Sequence, residues 1–188
     1  MTIVRIMALT ILACFCATSA YADTALWKKL YEPDHFAIMR HAEAPGTGDP
    51  ENFNVDDCAT QRNLSTSGRE QAKIIGERIR ANGIKDAKVY TSQWCRCVDT
   101  AELMNIGPVQ TLPALNSFYQ RYQNKEKNLA ALRQFLSDNR DNASPIMLVT
   151  HQVTIIALTD QYTRQGEIVI FKHLGGDTFE IIGSIAPR

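Results

Sequence analysis

The sequence has no excess of either charge: its 20 Lys and Arg balance 20 Asp and Glu. A formal net charge of zero gives nucleic acid no overall attraction, so any affinity for anions must come from a local cluster. Beyond its first residues the chain has no apolar run near the roughly 20 residues of a membrane span, and no stable span is expected. It also lacks a convincing metal set, because Cys95-x-Cys97 with a distant Cys58 has no fourth ligand at a usual spacing. No internal repeat, linker or low-complexity tract divides it. With 188 residues and an apolar share of 45%, one domain with one sizeable core is the expectation.

What is present begins at the amino terminus. Met1 to Arg5 is a short basic region, Ile6 to Thr18 an apolar one, and Ala20-Tyr21-Ala22 a small-x-small cleavage site. That is the pattern of a secretory signal peptide. The expected organisation is a signal peptide over 1–22 and a domain over 23–188, with the mature chain periplasmic or secreted. Ile11-Leu12-Ala13 ahead of Cys14 keeps a lipoprotein variant as an alternative. Cleavage leaves Cys58, Cys95 and Cys97. In an oxidising compartment one pair is expected to be a disulfide. Cys95 and Cys97 are too close to favour each other, so Cys58 pairs with one of them, Cys95 being preferred. Three buried thiols are the alternative.

The rest alternates strand and helix. Asp23 to Glu32 reads as a short leading helix stopped by Pro33. Phe36 to Arg40 is apolar until its last residue, as a strand covered on both faces should be. Ala44 to Arg62 is a long Gly/Pro/Asp-rich connection of the kind that is more often functional than not. Ser67-Gly-Arg-Glu70 reads as a capping box opening a helix that Gly83 closes. Further strands are expected at Lys88 to Thr91, Val109 to Leu112 and Ile146 to Thr150. Helices are expected from about Gln93 to Met104, around Leu129 to Leu136, and after His151. Glu167 to Lys172 and Thr178 to Ile185, joined through Gly175-Gly176-Asp177, read as an antiparallel hairpin. This pattern predicts a three-layer α/β/α sandwich with a mostly parallel central sheet and a C-terminal antiparallel hairpin.

Three of those strands deliver a cationic or titratable residue at their carboxyl ends: Arg40 and His41, Arg96, and His151. In α/β sheets that edge is where ligands bind. Planar guanidinium forks suit a phosphate dianion, which they hold by paired charge-assisted hydrogen bonds. A neutral imidazole can attack phosphorus and form a phosphohistidine that water hydrolyses. Fixed cations around the equatorial oxygens supply most of the catalysis in such a transfer. A second histidine, if protonated, adds a donor to those oxygens. No metal or cofactor is called for.

Arg40-His41-Ala42-Glu43 resembles the Arg-His-Gly signature of the histidine phosphatase superfamily, the phosphoglycerate mutase-like branch 1. The likeness continues in Arg62-Asn63-Leu64-Ser65 with Gly68 and Gln71-Ala72, in Ser92 to Arg96 with Thr100-Ala101, and in Val149-Thr150-His151. The resemblance implies that His41 is the phosphorylated nucleophile, with His151 as the second catalytic histidine. It makes Arg40 and Arg96 phosphate ligands. Arg62 stands where small members carry an arginine near the phosphate; a solvated loop arginine is the alternative. His35 and His173 lie outside the matched blocks and read as ordinary structural histidines. Phe118, Tyr119 and Tyr122 read as core or lid packing, with a pocket wall as the alternative.

Two departures stand out. Ala42 replaces the usual glycine after the nucleophile. Leu115-Asn116-Ser117 carries no carboxylate where many members place the acid that protonates the leaving group, and Gln152 after His151 excludes the His-Asp pair of the acid phosphatase branch. Glu43 and Asp99 are near the motifs in sequence, but neither is assigned as the acid. The expected activity is that of an exported, metal-independent histidine acid-type phosphatase, a phosphoric monoester hydrolase. Its substrate would be a small-molecule or glycan/lipopolysaccharide phosphomonoester. The narrower similarity is to the periplasmic lipopolysaccharide core heptose phosphatase group, carried by the signal peptide, Cys58, Trp94-Cys95-Arg96 and Leu115-Asn116-Ser117-Phe118. The alternatives are a protein phosphohistidine phosphatase and a non-catalytic phosphate-binding or sensing module.

Overall fold

The computed structural model describes residues 24–187. The signal-peptide segment 1–22 lies outside the described residues. A leading helix, α1, covers 24–29, and among the described residues no helix is long and apolar enough to cross a membrane. Strand β1 is His35–Arg40, α2 is Thr66–Ala81, β2 is Lys88–Thr91 and α3 is Cys95–Met104. There follow β3 at Val109–Thr111, α4 at Lys125–Asp138, β4 at Ile146–Thr150 and α5 at Gln152–Thr159. Strands β5, Ile168–Gly175, and β6, Thr178–Ile185, close the chain.

These strands form one six-stranded sheet in the order β3-β2-β4-β1-β5-β6. The first four run parallel; β5 and β6 are antiparallel and join at the β1 edge. Side chains alternate across the sheet, as the twofold period of a strand requires. Ala37, Met39, Met147 and Val149 face α1, α2 and α3, where Trp27, Ile75, Ile79, Cys97 and Met104 meet them. Phe36, Ile38, Ile146 and Leu148 face α4 and α5, packing on Leu132, Leu136, Ile155 and Leu158. Both faces of the middle strands are therefore dry, which explains their unbroken apolar sequences.

The register sets the site. Arg40 lies opposite Thr150, and Thr91 opposite Val149. The residues that follow each strand, His41, Ser92 and His151, thus leave the sheet at one level of one edge.

Helix α2 starts two residues earlier than its sequence suggests. Ser65, not Ser67, is the cap: its hydroxyl accepts from the Gly68 amide at 2.9 Å and donates to the Glu43 carboxylate. A side chain on Gly68 would place a Cβ 2.0 Å from the Glu43 carbonyl oxygen. Only glycine lets the first turn of α2 lie against the chain leaving β1.

The disulfide joins Cys58 to Cys95 with Cα atoms 5.8 Å apart. It ties the 44–62 loop, which is irregular except for a 3-10 turn at Cys58–Thr60, to the first residue of α3. Cys97 is left as a buried free thiol, and burial pushes it up to about 12 despite the cation beside it at Arg96. The bridge spans 37 residues, so breaking it should cost about 3–4 kcal/mol. For a domain of this size that is a fall of roughly 10 °C in Tm. Thermal melts of the oxidised protein and of Cys58→Ser check this; coincident melts would show that the bridge constrains nothing.

Candidate active site

At that sheet edge a cavity of about 250 Å³ opens, lined by Arg40, His41, Arg62, Arg96 and His151 together with Asp49, Tyr119 and Tyr162. All five residues singled out in the sequence thus line one hollow.

His41 is buried at the end of β1. Its amide donates to Thr150 O at 2.9 Å, and its Nδ1 lies 2.7 Å from the Ala42 carbonyl oxygen. A carbonyl can only accept, so Nδ1 carries the proton and Nε2 keeps its lone pair. Burial first, then the charge of Arg96, holds the imidazole well below the usual histidine range. The ring is neutral at ordinary pH, the form in which it can act as a nucleophile. The two histidine rings stand edge to face with centroids 5.6 Å apart.

His151 is also buried and is likewise held well below the usual histidine range, by burial first and then by the charge of Arg96. Its Nε2 is 2.9 Å from the Ser92 hydroxyl and 3.5 Å from Cys97 Sγ. Nδ1 lies 3.4 Å from Arg96 Nη2. Since Arg96 can only donate, Nδ1 is the bare nitrogen and Nε2–H points at Ser92. These contacts hold His151 uncharged; an arriving dianion is what would favour its protonation.

The guanidiniums are fixed differently. Arg40 donates from Nη1 to Thr163 O at 3.2 Å, while its buried Nε–H has no partner. Arg62 is half-buried and donates from Nε to Gly48 O at 2.8 Å and from Nη1 to Ala44 O at 2.5 Å. Burial and the neighbouring Arg96 pull it down to about 10, so it is charged at neutral pH. It is not the freely solvated loop arginine that its sequence context allowed. Arg96, in the first turn of α3, makes a bidentate pair with Asp49: Nη1 to Oδ1 at 2.7 Å and Nη2 to Oδ2 at 3.1 Å.

Several matched residues prove to be scaffolding. The Ala42 amide donates to Thr100 Oγ1 at 3.0 Å, and that hydroxyl donates to Arg96 O at 2.7 Å. The amide is thus spent on α3 and is not offered to a ligand. Gln71 Oε1 accepts from the Glu43 amide at 2.9 Å. Glu43 itself accepts from Ser65, and Asp99 pairs with Arg69 at 2.6 Å; neither lines the cavity. Phe118 is buried, whereas Tyr119 and Tyr122 are exposed, and of the three only Tyr119 reaches the cavity wall. His35 and His173 sit at the opposite end of the sheet, bonded near Pro33 and Gly176.

Sequence reasoning missed Asp49 and Tyr162. Asp49 is one acid among several in a Gly/Pro-rich loop, and nothing local couples it to an arginine 47 positions on. Tyr162 follows α5 in a segment without pattern. Among the described residues no group of three or more His, Cys, Asp or Glu is placed to hold a metal ion.

An α/β domain with paired histidines and three arginines around one cavity at the carboxyl edge of its parallel strands has the donor set that suits a phosphate dianion. The sequence matches the histidine phosphatase superfamily (branch 1) over residues 36–131, and the chain belongs to that family. A curated relative, the 6-phosphofructo-2-kinase/fructose-2,6-bisphosphatase of Gallus gallus, is 42% identical over 53 residues, covering 28% of this chain and 11% of its own length. The chain thus spans only a small part of that bifunctional relative. Among solved structures, the alpha-ribazole phosphatase from Shigella flexneri superposes with a TM-score of 0.60 at 15% identity, over 82% of this chain and 96% of that one. The protein histidine phosphatase SixA complexed with tungstate gives a TM-score of 0.56 at 14% identity, over 81% and 97%. At these identities the likeness is one of fold.

Proposed function

We propose that the protein hydrolyses phosphomonoesters through a phosphohistidine on His41, without a metal. The observation that carries this reading is the His41 Nδ1 bond to the Ala42 carbonyl. It leaves a neutral imidazole with its Nε2 lone pair in a cavity walled by three guanidiniums. In the first step Nε2 attacks phosphorus; the N–P bond forms as the P–O bond to the leaving group breaks, and the departing oxygen takes up a proton. Water then attacks phosphorus, the N–P bond breaks, and inorganic phosphate leaves with His41 restored. The proton lost by water balances the one gained by the alcohol. Arg40, Arg62 and Arg96 bind the equatorial oxygens, where charge spreads in the transition state. His151 joins them once the dianion has raised its affinity for a proton.

No protonated carboxyl in the cavity wall stands ready to give the leaving oxygen its proton. Asp49 is the one carboxylate among the lining residues. Burial works to raise it, but the hydrogen bond and charge of Arg96, the Trp94 indole and the Arg62 amide outweigh this and keep it ionised. Substrates whose leaving group needs no acid are therefore favoured. A protein phosphohistidine is one, because imidazole departs readily, and this supports the second reading.

Export rests on the 1–22 sequence pattern, and a Cys58–Cys95 bridge suits an oxidising, periplasmic or secreted setting. The finer reading is a glycan phosphate of the lipopolysaccharide core type, handled by a member of the heptose phosphatase group, with the proton for its sugar-alcohol leaving group supplied by the substrate itself. It rests on the Trp94 to Arg96 and Leu115 to Phe118 stretches. The exposed rings of Tyr119 and Tyr162 beside Ser117, Gln120 and Gln152 at the cavity mouth support it, being apolar faces next to neutral hydrogen-bonding groups.

The test is turnover by the mature protein, with chelator present, of an aryl phosphate, a series of sugar phosphates and a phosphohistidine peptide. Turnover of the aryl ester or the peptide at least about 100-fold above that of a simple alkyl ester is expected, the size of effect that an acid supplies. Loss of activity on chelation would sink the metal-free scheme. Phosphate binding without turnover of any substrate would leave only the sensing module.

A further inference from the structure

One carboxylate inside a site for anions calls for a reason. Asp49 is among the most heavily bonded residues of the cavity wall. Its Oδ1 accepts from Arg96 Nη1 at 2.7 Å and from the Arg62 amide at 3.1 Å. Its Oδ2 accepts from Arg96 Nη2 at 3.1 Å and from the Trp94 indole at 2.9 Å. Its backbone is clamped too: the amide donates to Gln120 Oε1 at 2.7 Å and the carbonyl accepts from Gln120 Nε2 at 3.0 Å. The side chains of Arg96 and Asp49 are only 3% and 7% exposed. A carboxylate with four donors on two oxygens has no idle acceptor with which to leave easily.

The hydrogens of Arg96 show what that clamp does. One Nη1–H goes to Asp49 and the other to Arg62 O at 3.1 Å. One Nη2–H goes to Asp49, and the second makes the 3.4 Å contact with His151 Nδ1. Nε–H is buried and without a partner. The end of the fork is closed by Asp49; on its side edge Nε–H has no protein partner, and the second Nη2–H is released to a ligand once His151 Nδ1 takes up a proton. That edge is a paired donor of the geometry that suits two phosphate oxygens.

We propose that Asp49 is a positioning residue of this site, clamping Arg96 so that its Nε–H and Nη2–H edge meets the substrate phosphate. Asp49 stays in place when phosphate binds. It also sets the charge: three guanidiniums and one carboxylate beside two neutral histidines sum to two positive charges, the complement of a phosphate dianion. The proposal rests on the phosphatase reading and adds a residue to it. Two other roles predict different results. A carboxylate that merely occupies the fork in the empty site would compete with phosphate, and its removal would tighten binding. A carboxylate that donates a proton would matter only for poor leaving groups.

The experiment measures inorganic phosphate binding by calorimetry for the wild type, Asp49→Asn and Trp94→Phe, together with kcat and KM on an aryl and an alkyl phosphate. Asp49→Asn is expected to weaken phosphate about 10-fold or more and to lower kcat by the same factor on both esters. Trp94→Phe keeps every charge and an aromatic ring at the position that packs on His151 and Phe53 but removes one donor from Asp49. It should weaken phosphate in the same direction by roughly two- to five-fold. Tighter phosphate binding by Asp49→Asn, a loss confined to the alkyl ester, or unchanged binding by Trp94→Phe would each overturn the proposal. The last decides the matter even where Asp49→Asn fails to fold. A wild type that binds phosphate but turns nothing over defeats the phosphatase reading, and the binding measurements still decide the role of Asp49.

Discussion

Replacing His41 by alanine is expected to abolish turnover, by a factor on the order of 10⁴ or more, while leaving a folded protein that still binds phosphate. The size follows from the role. A nucleophile's removal forfeits the covalent route, and the electrostatic site that remains supplies only the residual rate over water. Little in the fold depends on the imidazole. Its side-chain hydrogen bond is to its own neighbour's carbonyl, and its amide bond to Thr150 belongs to the backbone. The stability change should stay within about 1–3 kcal/mol, the range for an ordinary buried substitution. Phosphate binding should persist because the three guanidiniums are untouched, and with the imidazole gone the hollow only widens. The chemical counterpart is a phosphoryl adduct in the wild type, trapped by rapid quench in alkali, lost in acid, and absent from His41→Ala. An adduct on another residue, or turnover that survives the substitution, would remove His41 from the mechanism.

How much of this was legible beforehand differs from element to element. Strands β1 and β4 could be read nearly to the residue, because burial on both faces demands the unbroken apolar runs Phe36 to Met39 and Ile146 to Val149. The site residues at their ends came with them, since the chain leaves a strand where the apolar run stops. The start of α2 could not be placed. Ser67-Gly-Arg-Glu70 satisfies the local rule for a cap as well as the true start does. The choice of Ser65 is made by Glu43, 22 residues away, and by the close approach that Gly68 permits. Asp49 was beyond reach for the same reason on a longer scale: its meaning lies in Arg62, in Trp94 and Arg96, and in Gln120, partners supplied by three separate segments. The disulfide could be narrowed to two pairings by counting cysteines. The choice of Cys95 over Cys97 depends on which face of α3 meets the loop and which the core.

That buried pair makes Arg96→Ala the substitution with the largest combined effect. Activity should fall by about 10²–10³-fold, as expected when a charged donor to a transition-state oxyanion is lost. Stability should fall as well, by about 3–5 kcal/mol at neutral pH, because Asp49 is then a buried carboxylate without its cation. The pH dependence identifies the cause. In the wild type Asp49 is held below its usual value, so what the pair contributes is fully present above about pH 3.8 and is lost as pH falls through the lower folded value. Without Arg96 the same carboxyl is pushed up by burial and can take a proton, relieving the variant as pH falls. His41 and His151 act in the same sense. The charge of Arg96 helps to hold both below the usual histidine range, so its removal eases their protonation in the folded state. The stability gap between wild type and Arg96→Ala should therefore narrow between pH 7 and pH 4, measured by urea unfolding at each pH. The double variant Asp49→Ala/Arg96→Ala should be more stable at pH 7 than Arg96→Ala alone, since the stranded charge is gone. A gap constant with pH, or a double variant no better than the single, would mean that the arginine acts through packing and not through its partner.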